Sequence, residues 1–138
     1  EVRLNITDIR DGIEANLETI SGLRGYSEIP DNPSIPAAVI SLNSVDYHQA
    51  FKNGLIELNF TITVIVGRFN SRSAQHNLNE YADNSGDRSI KAAIESDRTL
   101  GGSAFDCIVQ TMSGISNIDL NDGNNYLATE FSVVAYAN

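Results

Sequence analysis

Histidine, cysteine and clustered carboxylates are the side chains of this chain that could catalyse a reaction or bind a metal. The two histidines, His48 and His76, form no HxxxH or HExxH pair, so the ligand spacing of a zinc site is missing. Cys107 is the single cysteine, which excludes an internal disulfide and fits a reducing compartment. Its place between Phe105 and Val109 in a strand pattern predicts a buried, inert thiol rather than a nucleophile.

The segment from Asp119 to Glu130 partly imitates a calcium-binding loop. Its fifth position is Gly123, which has no side-chain ligand, and its sixth is Asn124 instead of the glycine that makes the sharp turn. A hairpin turn at Asp122-Gly123 explains the segment better. The chain also has no GxSxG, P-loop or GxGxxG motif. We therefore predict no enzyme, no cofactor and no metal site, with acids converging on a divalent metal as a minor alternative.

Length and composition predict one globular domain spanning residues 1–138. The chain has 138 residues, of which 41% are hydrophobic and 20% are charged, enough for a hydrophobic core. Its net charge of −9 argues against a surface that grips DNA, because affinity for phosphate comes largely from Lys and Arg. No apolar run approaches the roughly 20 residues of a membrane span, so we predict no membrane contact.

The strongest secondary-structure signal is a long strand at Leu55–Val66, where apolar and polar residues alternate. Period-2 alternation of this length indicates a strand with one buried face. The strand is preceded by Asn53-Gly54, a strong hairpin signal, and by a second alternating run at Val45–Phe51. A two-residue turn there predicts that Val45 faces Ile62 and that Tyr47 faces Phe60, with apolar opposite apolar.

The remaining pattern alternates between helices and strands and predicts an α+β fold. Apolar residues at three- and four-residue spacing indicate a helix over Leu4–Ile20, with Asn5 as its N-cap and Gly22 as its stop. The full prediction is an antiparallel-rich sheet of about four or five strands with a long hairpin, and helices packed mainly on one face. The other predicted elements are helices at Ser71–Ala82 and Ser89–Asp97, strands at Ala37–Leu42 and Ala104–Ser113, and a second hairpin from Ser116–Leu120 to Asn124–Tyr136.

Three stretches together resemble one known protein family over nearly the whole chain. They are the Pro30-Asp31-Asn32-Pro33 region after the first helix, the segment ending at Val64–Arg68, and above all Ser89–Gly102. This pattern is similar to the tail-terminator, or tail-completion, proteins of long-tailed, siphovirus-type phages that infect actinobacteria. The matching stretches are family signatures and not catalytic motifs.

The resemblance implies a structural role in phage assembly. Such subunits form a homo-hexameric ring that caps the tail tube, ends its polymerisation and presents a joining surface to the head–neck connector protein. The implied partners are further copies of the chain, the major tail tube protein and the connector, with DNA as passing cargo in the central hole. The implied location is the virion at the tail–neck junction, after assembly in the bacterial cytoplasm. The alternatives are a neck or head-completion protein on the connector side and, in a different class, a small-ligand or peptide-binding module.

Candidate contact residues follow from exposed turns and from scarce positive charges. The loop Gly25–Pro36 is long and stiffened by proline, which makes it a candidate ring or tube interface. Arg68, Arg72 and Arg98 are scarce basic residues in an acidic chain and could pair with acids of the first helix on a neighbour. We also expect the polar face of the long strand to be covered by a neighbouring subunit. The candidate interface residues are Pro30, Asp31, Pro33, Lys52, Asn53, Gly54, Arg68 and Arg72.

Overall fold

A computed structural model of the chain describes residues 5–26, 35–47, 55–68, 72–119 and 125–137. These residues form one sheet with helices on one side. The helices are α1 (Ile6–Leu17), α2 (Arg72–Ala82) and α3 (Ile90–Ile94). The strands are β1 (Arg24–Tyr26), β2 (Ala37–Asp46), β3 (Ile56–Arg68), β4 (Asp106–Asp119) and β5 (Asn125–Ala137). Their order is β1-β2-β3-β5-β4, and β1 with β2 is the parallel pair. The predicted α+β, antiparallel-rich architecture is confirmed.

Strand β3 lies in the middle of the sheet and has the buried face that its alternation predicts. Leu58, Phe60 and Ile62 are at most 1% exposed, whereas Asn59 and Thr61 between them are partly exposed. Pairing with β2 on one side and β5 on the other satisfies its backbone along almost its whole length. The strand runs on to Arg68, two residues beyond the predicted end.

The predicted register between β2 and β3 is wrong, although the two strands do pair antiparallel. Val45 faces Leu58 instead of Ile62, and the residue opposite Phe60 is Leu42, not Tyr47. At Val45 the error is an even number of residues, so the same side of each strand still faces the core. Alternation distinguishes the two faces of a strand, but it does not distinguish registers that differ by two or four residues. The predicted Asn53-Gly54 turn lies outside the described residues.

Strands β2 and β4 are each longer than predicted, because each unites stretches that the sequence separates. β2 continues past Leu42 through a register shift before Ser44. β4 continues past Ser113 in the same way, with Gly114 at a φ of 68°. Irregularities of this kind let a strand change twist and keep pairing. The predicted pairing of the second hairpin is confirmed in the antiparallel β4–β5 contact, whereas its turn residues are not described.

The three predicted helices are present, but several of their bounds and one neighbouring strand differ from the prediction. The Asn5 side chain accepts a hydrogen bond from the Asp8 N–H at 3.1 Å, which confirms the N-cap of α1. α1 ends at Leu17 rather than Ile20. Gly25 belongs to strand β1 and not to a loop, because the parallel pairing with Ala38 incorporates it into the sheet.

The main core lies between the sheet and the helices. It combines the apolar stripe of α1, inward residues of α2 and α3, and alternating residues of β2, β3 and β5. This arrangement confirms the expectation that the helices pack mainly on one face. On the opposite face a smaller cluster joins Ile65, Tyr126 and Ala128. The long polar part of β3 on that same face is partly exposed.

Candidate interaction surface

The segment that carries the strongest resemblance, Ser89–Gly102, connects α2 to β4 and is anchored on α1. Ser89 caps α3 by accepting a hydrogen bond from the Ala92 N–H at 3.1 Å. Asn16 is a buried polar residue of α1, and its side-chain amide donates to the carbonyl oxygens of Ile94 and Asp97, both at 3.0 Å. These two bonds satisfy backbone acceptors where α3 ends, so the segment has a defined position against the core.

Asp97 organises the turn that follows α3. Its carboxylate accepts hydrogen bonds from the Thr99 hydroxyl at 2.9 Å, the Gly101 N–H at 2.9 Å and the Thr99 N–H at 3.3 Å. The Thr99 hydroxyl and then the backbone N–H groups hold the pKa of Asp97 below its usual value, because they stabilise the carboxylate form. Gly101 and Gly102 have φ values of 70° and 94°, a region that glycine adopts without steric cost. The Asp-Arg-Thr-Leu-Gly-Gly stretch is therefore explained by a local turn.

Arg98 forms a two-pronged ion pair with Asp106 at the start of β4. Both nitrogen–oxygen distances are 2.6 Å, and the same carboxylate accepts the Cys107 N–H at 2.9 Å. The Arg98 hydrogen bonds hold the pKa of Asp106 below its usual value. Because this arginine is paired within the chain, the prediction that it serves a neighbouring subunit loses its support.

Glu95 bridges the helical segment and the outer edge of β4. Its carboxylate accepts from Lys91 Nζ at 2.8 Å and from the Val109 N–H at 3.0 Å. Partial burial raises the pKa of Glu95, but the hydrogen bonds from Lys91 and Val109 outweigh it, so the pKa is lowered overall. The Val109 N–H points away from β5, and the Glu95 carboxylate supplies the hydrogen-bond acceptor that a neighbouring strand would otherwise provide.

Replacing Glu95 with glutamine is expected to lower the free energy of unfolding at neutral pH by about 1 kcal/mol, because a charge-assisted hydrogen bond becomes a neutral one. The folded pKa is depressed, so the contribution of Glu95 is present above the unfolded pKa of about 4.3 and is lost as pH falls through the folded value. Urea unfolding would measure this between about pH 3 and pH 7. Over that range the free energy of unfolding should fall less with decreasing pH for Glu95→Gln than for the wild type.

The matched control for this pH profile is Glu130→Gln, since Glu130 is exposed on β5. We expect it to reproduce the wild-type profile. A Glu95→Gln profile that runs parallel to wild type across the whole range would contradict the assigned role of the Glu95 charge.

Among the predicted contact residues, the structure describes Arg68 and Arg72. Both are exposed: Arg68 ends β3, and Arg72 begins α2 a short distance further along the chain. Within the described ranges neither forms an ion pair, so their charges are available to a partner. The other six candidates, Pro30, Asp31, Pro33, Lys52, Asn53 and Gly54, lie outside the described residues.

The acids of α1, which were expected to meet those arginines, are partly neutralised within the chain. Arg10 contacts Asp11 at 3.0 Å and Glu14 at 3.1 Å. Glu18 accepts the Gly25 N–H at 3.2 Å. Exposed pairs of this kind contribute little energy, so Asp11 remains able to exchange partners.

The polar face of β3 carries a ladder of side-chain hydrogen bonds. Asn59 donates to Ser44 at 3.1 Å and to Glu57 at 3.3 Å, and Asn43 of β2 donates to Thr61. These contacts hold the polar side chains flat against the sheet and leave them partly exposed. Coverage of this face by a neighbouring subunit stays a prediction.

Where the structure describes them, the residues considered for catalysis do not lie together. Cys107 is fully buried, which confirms its predicted place in the core, and this burial raises its pKa to about 12. His76 is exposed and lies 3.6 Å from Glu80, while His48 is not described. Within the described ranges, no three His, Cys, Asp or Glu side chains form a group that could hold a metal ion. An open depression beside α1 is lined by Glu18, Ile20, Gly22, Leu23 and Arg24.

Comparison with known proteins finds no match to a family model and none to a curated protein. In the part of the chain that the structure describes, no helix is long and apolar enough to cross a membrane.

Proposed function

We propose that this chain is a structural subunit of a phage tail terminator, which assembles into a ring, caps the tail tube and joins it to the head–neck connector. The observation that carries the proposal is the long edge strand β4, which the sheet presents on one side. β4 runs from Asp106 to Asp119 and pairs only with β5 among the described residues. A subunit that assembles needs a directional contact of this kind.

The composition of β4 supports assembly over a monomeric existence. The twelve residues 107–118 include no charged residue and no proline, although 20% of the chain is charged. Proteins that remain monomeric usually protect long edge strands with charges, proline, short length or β-bulges, and of these β4 has only its two register irregularities, at Val109/Thr111 and Ser113/Ser116. Large apolar side chains are also exposed at Leu42, Tyr47 and Phe105.

The acidic surface is consistent with a ring through which DNA passes. A net charge of −9 per subunit repels the phosphate backbone, so the polyanion would move through the hole without being bound. The family resemblance of the sequence supplies the particular place in the virion, at the end of the tail tube.

The test is a capping assay with polymerising tail tube protein from a siphovirus of an actinobacterium. Light scattering after size exclusion and negative-stain images would measure the state of the chain alone and in the presence of tubes. We expect rings at tube ends and shorter tubes when the chain is added during polymerisation. Binding to connector particles with no effect on tube length would favour the neck-protein alternative, and a monomer that never contacts tubes would refute the proposal.

Reversing the charges of Arg68 and Arg72 together is expected to weaken ring assembly. The double variant Arg68→Glu/Arg72→Glu removes two positive charges and adds two negative ones at the exposed end of β3 and start of α2, so repulsion replaces attraction to acidic neighbours. We expect about a tenfold higher dissociation constant near 0.05 M salt and a smaller difference near 0.5 M salt.

The control for that experiment is Arg24→Glu/Arg88→Glu, which makes the same change in net charge at other exposed positions. Equal weakening by both double variants would assign the effect to net charge instead of to the β3–α2 corner. Assembly that is unchanged by Arg68→Glu/Arg72→Glu would remove these residues from the interface.

A further inference from the structure

Among the described residues, the two sides of the sheet end differently, and each has a stretch of backbone with no neighbouring strand. On one side stands β4. On the other, β1 covers only Ala37–Val39 of β2, and Ser41–Val45 has no strand beyond it among the described residues. We propose that the outer edge of β4 in one copy pairs with Ser41–Val45 of β2 in the next copy, so that the sheet continues from subunit to subunit. This inference rests on the proposed ring function and specifies its interface.

In the described part of the chain, side chains bond to the outer edge of β4 only near its start. The N–H groups of Cys107 and Val109 are bonded to the carboxylates of Asp106 and Glu95, at 2.9 Å and 3.0 Å. Alternate residues of a strand direct their N–H groups to the same side, so both bonds lie on the edge away from β5. No side chain caps an N–H in this way between residues 110 and 119, as far as the chain is described. The open part of the β4 edge therefore begins after Val109.

The strand directions are compatible with a closed ring. Following the pairings across the sheet, β2 runs opposite to β3, β3 opposite to β5, and β5 opposite to β4. β2 and β4 consequently run in opposite directions. If neighbouring subunits are related by rotation about an axis along the strands, β4 meets the next β2 antiparallel. This contact uses two different surfaces, as a ring requires.

Side chains on the two edges also match. Leu42 lies opposite Phe60, on the helix side of the sheet, yet is 41% exposed. Met112 lies opposite Phe131 on the same side and is only partly buried. In a sheet that continues between subunits, the helix side is shared, so Leu42 of one copy would pack against Met112 of the next. Neither Ser41–Val45 nor residues 107–118 contain a charged residue that would oppose the contact.

Cysteine crosslinking tests this pairing in the intact chain. Leu42→Cys, Met112→Cys and the double variant would be treated with a short bis-maleimide under conditions that give rings, with the buried Cys107 left in place. We expect the double variant to give a ladder of crosslinked oligomers, each single variant to remain uncrosslinked, and an equal mixture of the two singles to give dimers only. Each outcome follows from a contact that joins different edges.

Other outcomes overturn the inference and separate it from the proposed function. Dimers from Met112→Cys alone would show β4 pairing with β4 about a two-fold axis. Rings that cap tubes without the ladder would place the interface elsewhere, while the terminator function stands. A chain that forms no rings and caps no tubes would overturn both.

A charge placed on the edge gives a second measurement that needs no cysteine. Thr111 is exposed in the open part of β4, and Thr111→Lys should raise the dissociation constant of ring assembly by at least about tenfold. Gln75→Lys adds the same charge at an exposed position of α2 and should leave assembly unchanged. Equal assembly of Thr111→Lys and wild type would contradict pairing along β4.

Discussion

Replacing Phe60 with alanine is expected to lower the free energy of unfolding by about 3–5 kcal/mol. Phe60 is 1% exposed in the middle of the central strand, and it belongs to the main core between sheet and helices. Truncation removes a large apolar surface and leaves a cavity that strands on both sides prevent from collapsing. Chemical denaturation followed by circular dichroism would measure the loss.

Thr63→Ala on the same strand is the matched comparison. Thr63 is three residues further along, on the opposite face, and partly exposed between Val39 and Glu130. We expect its free energy of unfolding to change by less than about 1 kcal/mol. If the two variants lost similar stability, the face of β3 that packs against the helices would have been assigned incorrectly.

That contrast depends on a feature that the sequence predicts well. Period-2 alternation places Phe60 and Ile62 on one face and Thr61 on the other, and burial follows the same division. The helices are predicted for a related reason, since the spacing of Ile9, Ile13 and Leu17 defines the buried stripe of α1. Both signals are local, because each compares residues within a few positions of one another.

Pairing between strands is less predictable, because it depends on residues far apart in sequence. Placing Val45 opposite Ile62 or opposite Leu58 brings apolar next to apolar in either case, so alternation gives no preference. The pairing of β3 with β5 depends on loop closure and core packing across the 56 residues that lie between Arg68 and Asn125. The sequence analysis predicts Ala104–Ser113 and Ser116–Leu120 as separate strands, whereas the structure joins them in β4 through a register shift between Ser113 and Ser116.

The side chains around the start of β4 were missed for the same physical reason. Glu95 is bonded to Val109, and Arg98 to Asp106. Neither pair has the spacing of neighbours on a helix face or on a strand face, so sequence periodicity does not predict the contact. The available signal was chemical: a basic residue flanked by several acids within an acidic chain. That signal led to a neighbouring subunit as the partner of Arg98, whereas the structure pairs it within the chain.

These internal contacts also narrow the surfaces that remain for assembly. Glu95, Asp97, Arg98 and Asp106 all have hydrogen-bond partners within the chain, so this segment supports β4 instead of meeting a partner through its charges. The exposed charges of Arg68 and Arg72 and the open edge of β4 remain. Under the proposed function, these two features would supply a ring contact built on an edge strand and steered by a few charges.

Asn16→Ala is expected to lower the free energy of unfolding by about 2–4 kcal/mol, because two backbone acceptors lose their donor. The Asn16 amide donates to the carbonyls of Ile94 and Asp97 at 3.0 Å, and the side chain is 9% exposed. Without it, the end of α3 loses its hydrogen bonds to α1 and is held there by apolar packing alone. The position of Glu95 at the β4 edge then loosens as well, so assembly should weaken along with stability.

Asn16→Asp distinguishes the effect of losing the hydrogen bonds from the effect of losing side-chain volume. A carboxylate has nearly the same size as the amide but donates no hydrogen bond at neutral pH, and it places a negative charge beside two carbonyl oxygens. We therefore expect a loss at least as large as for Asn16→Ala. Asn79→Ala, at an exposed position of α2, should change stability by less than about 1 kcal/mol. Full stability of Asn16→Asp at neutral pH would show that these two hydrogen bonds do not anchor the segment between α3 and β4.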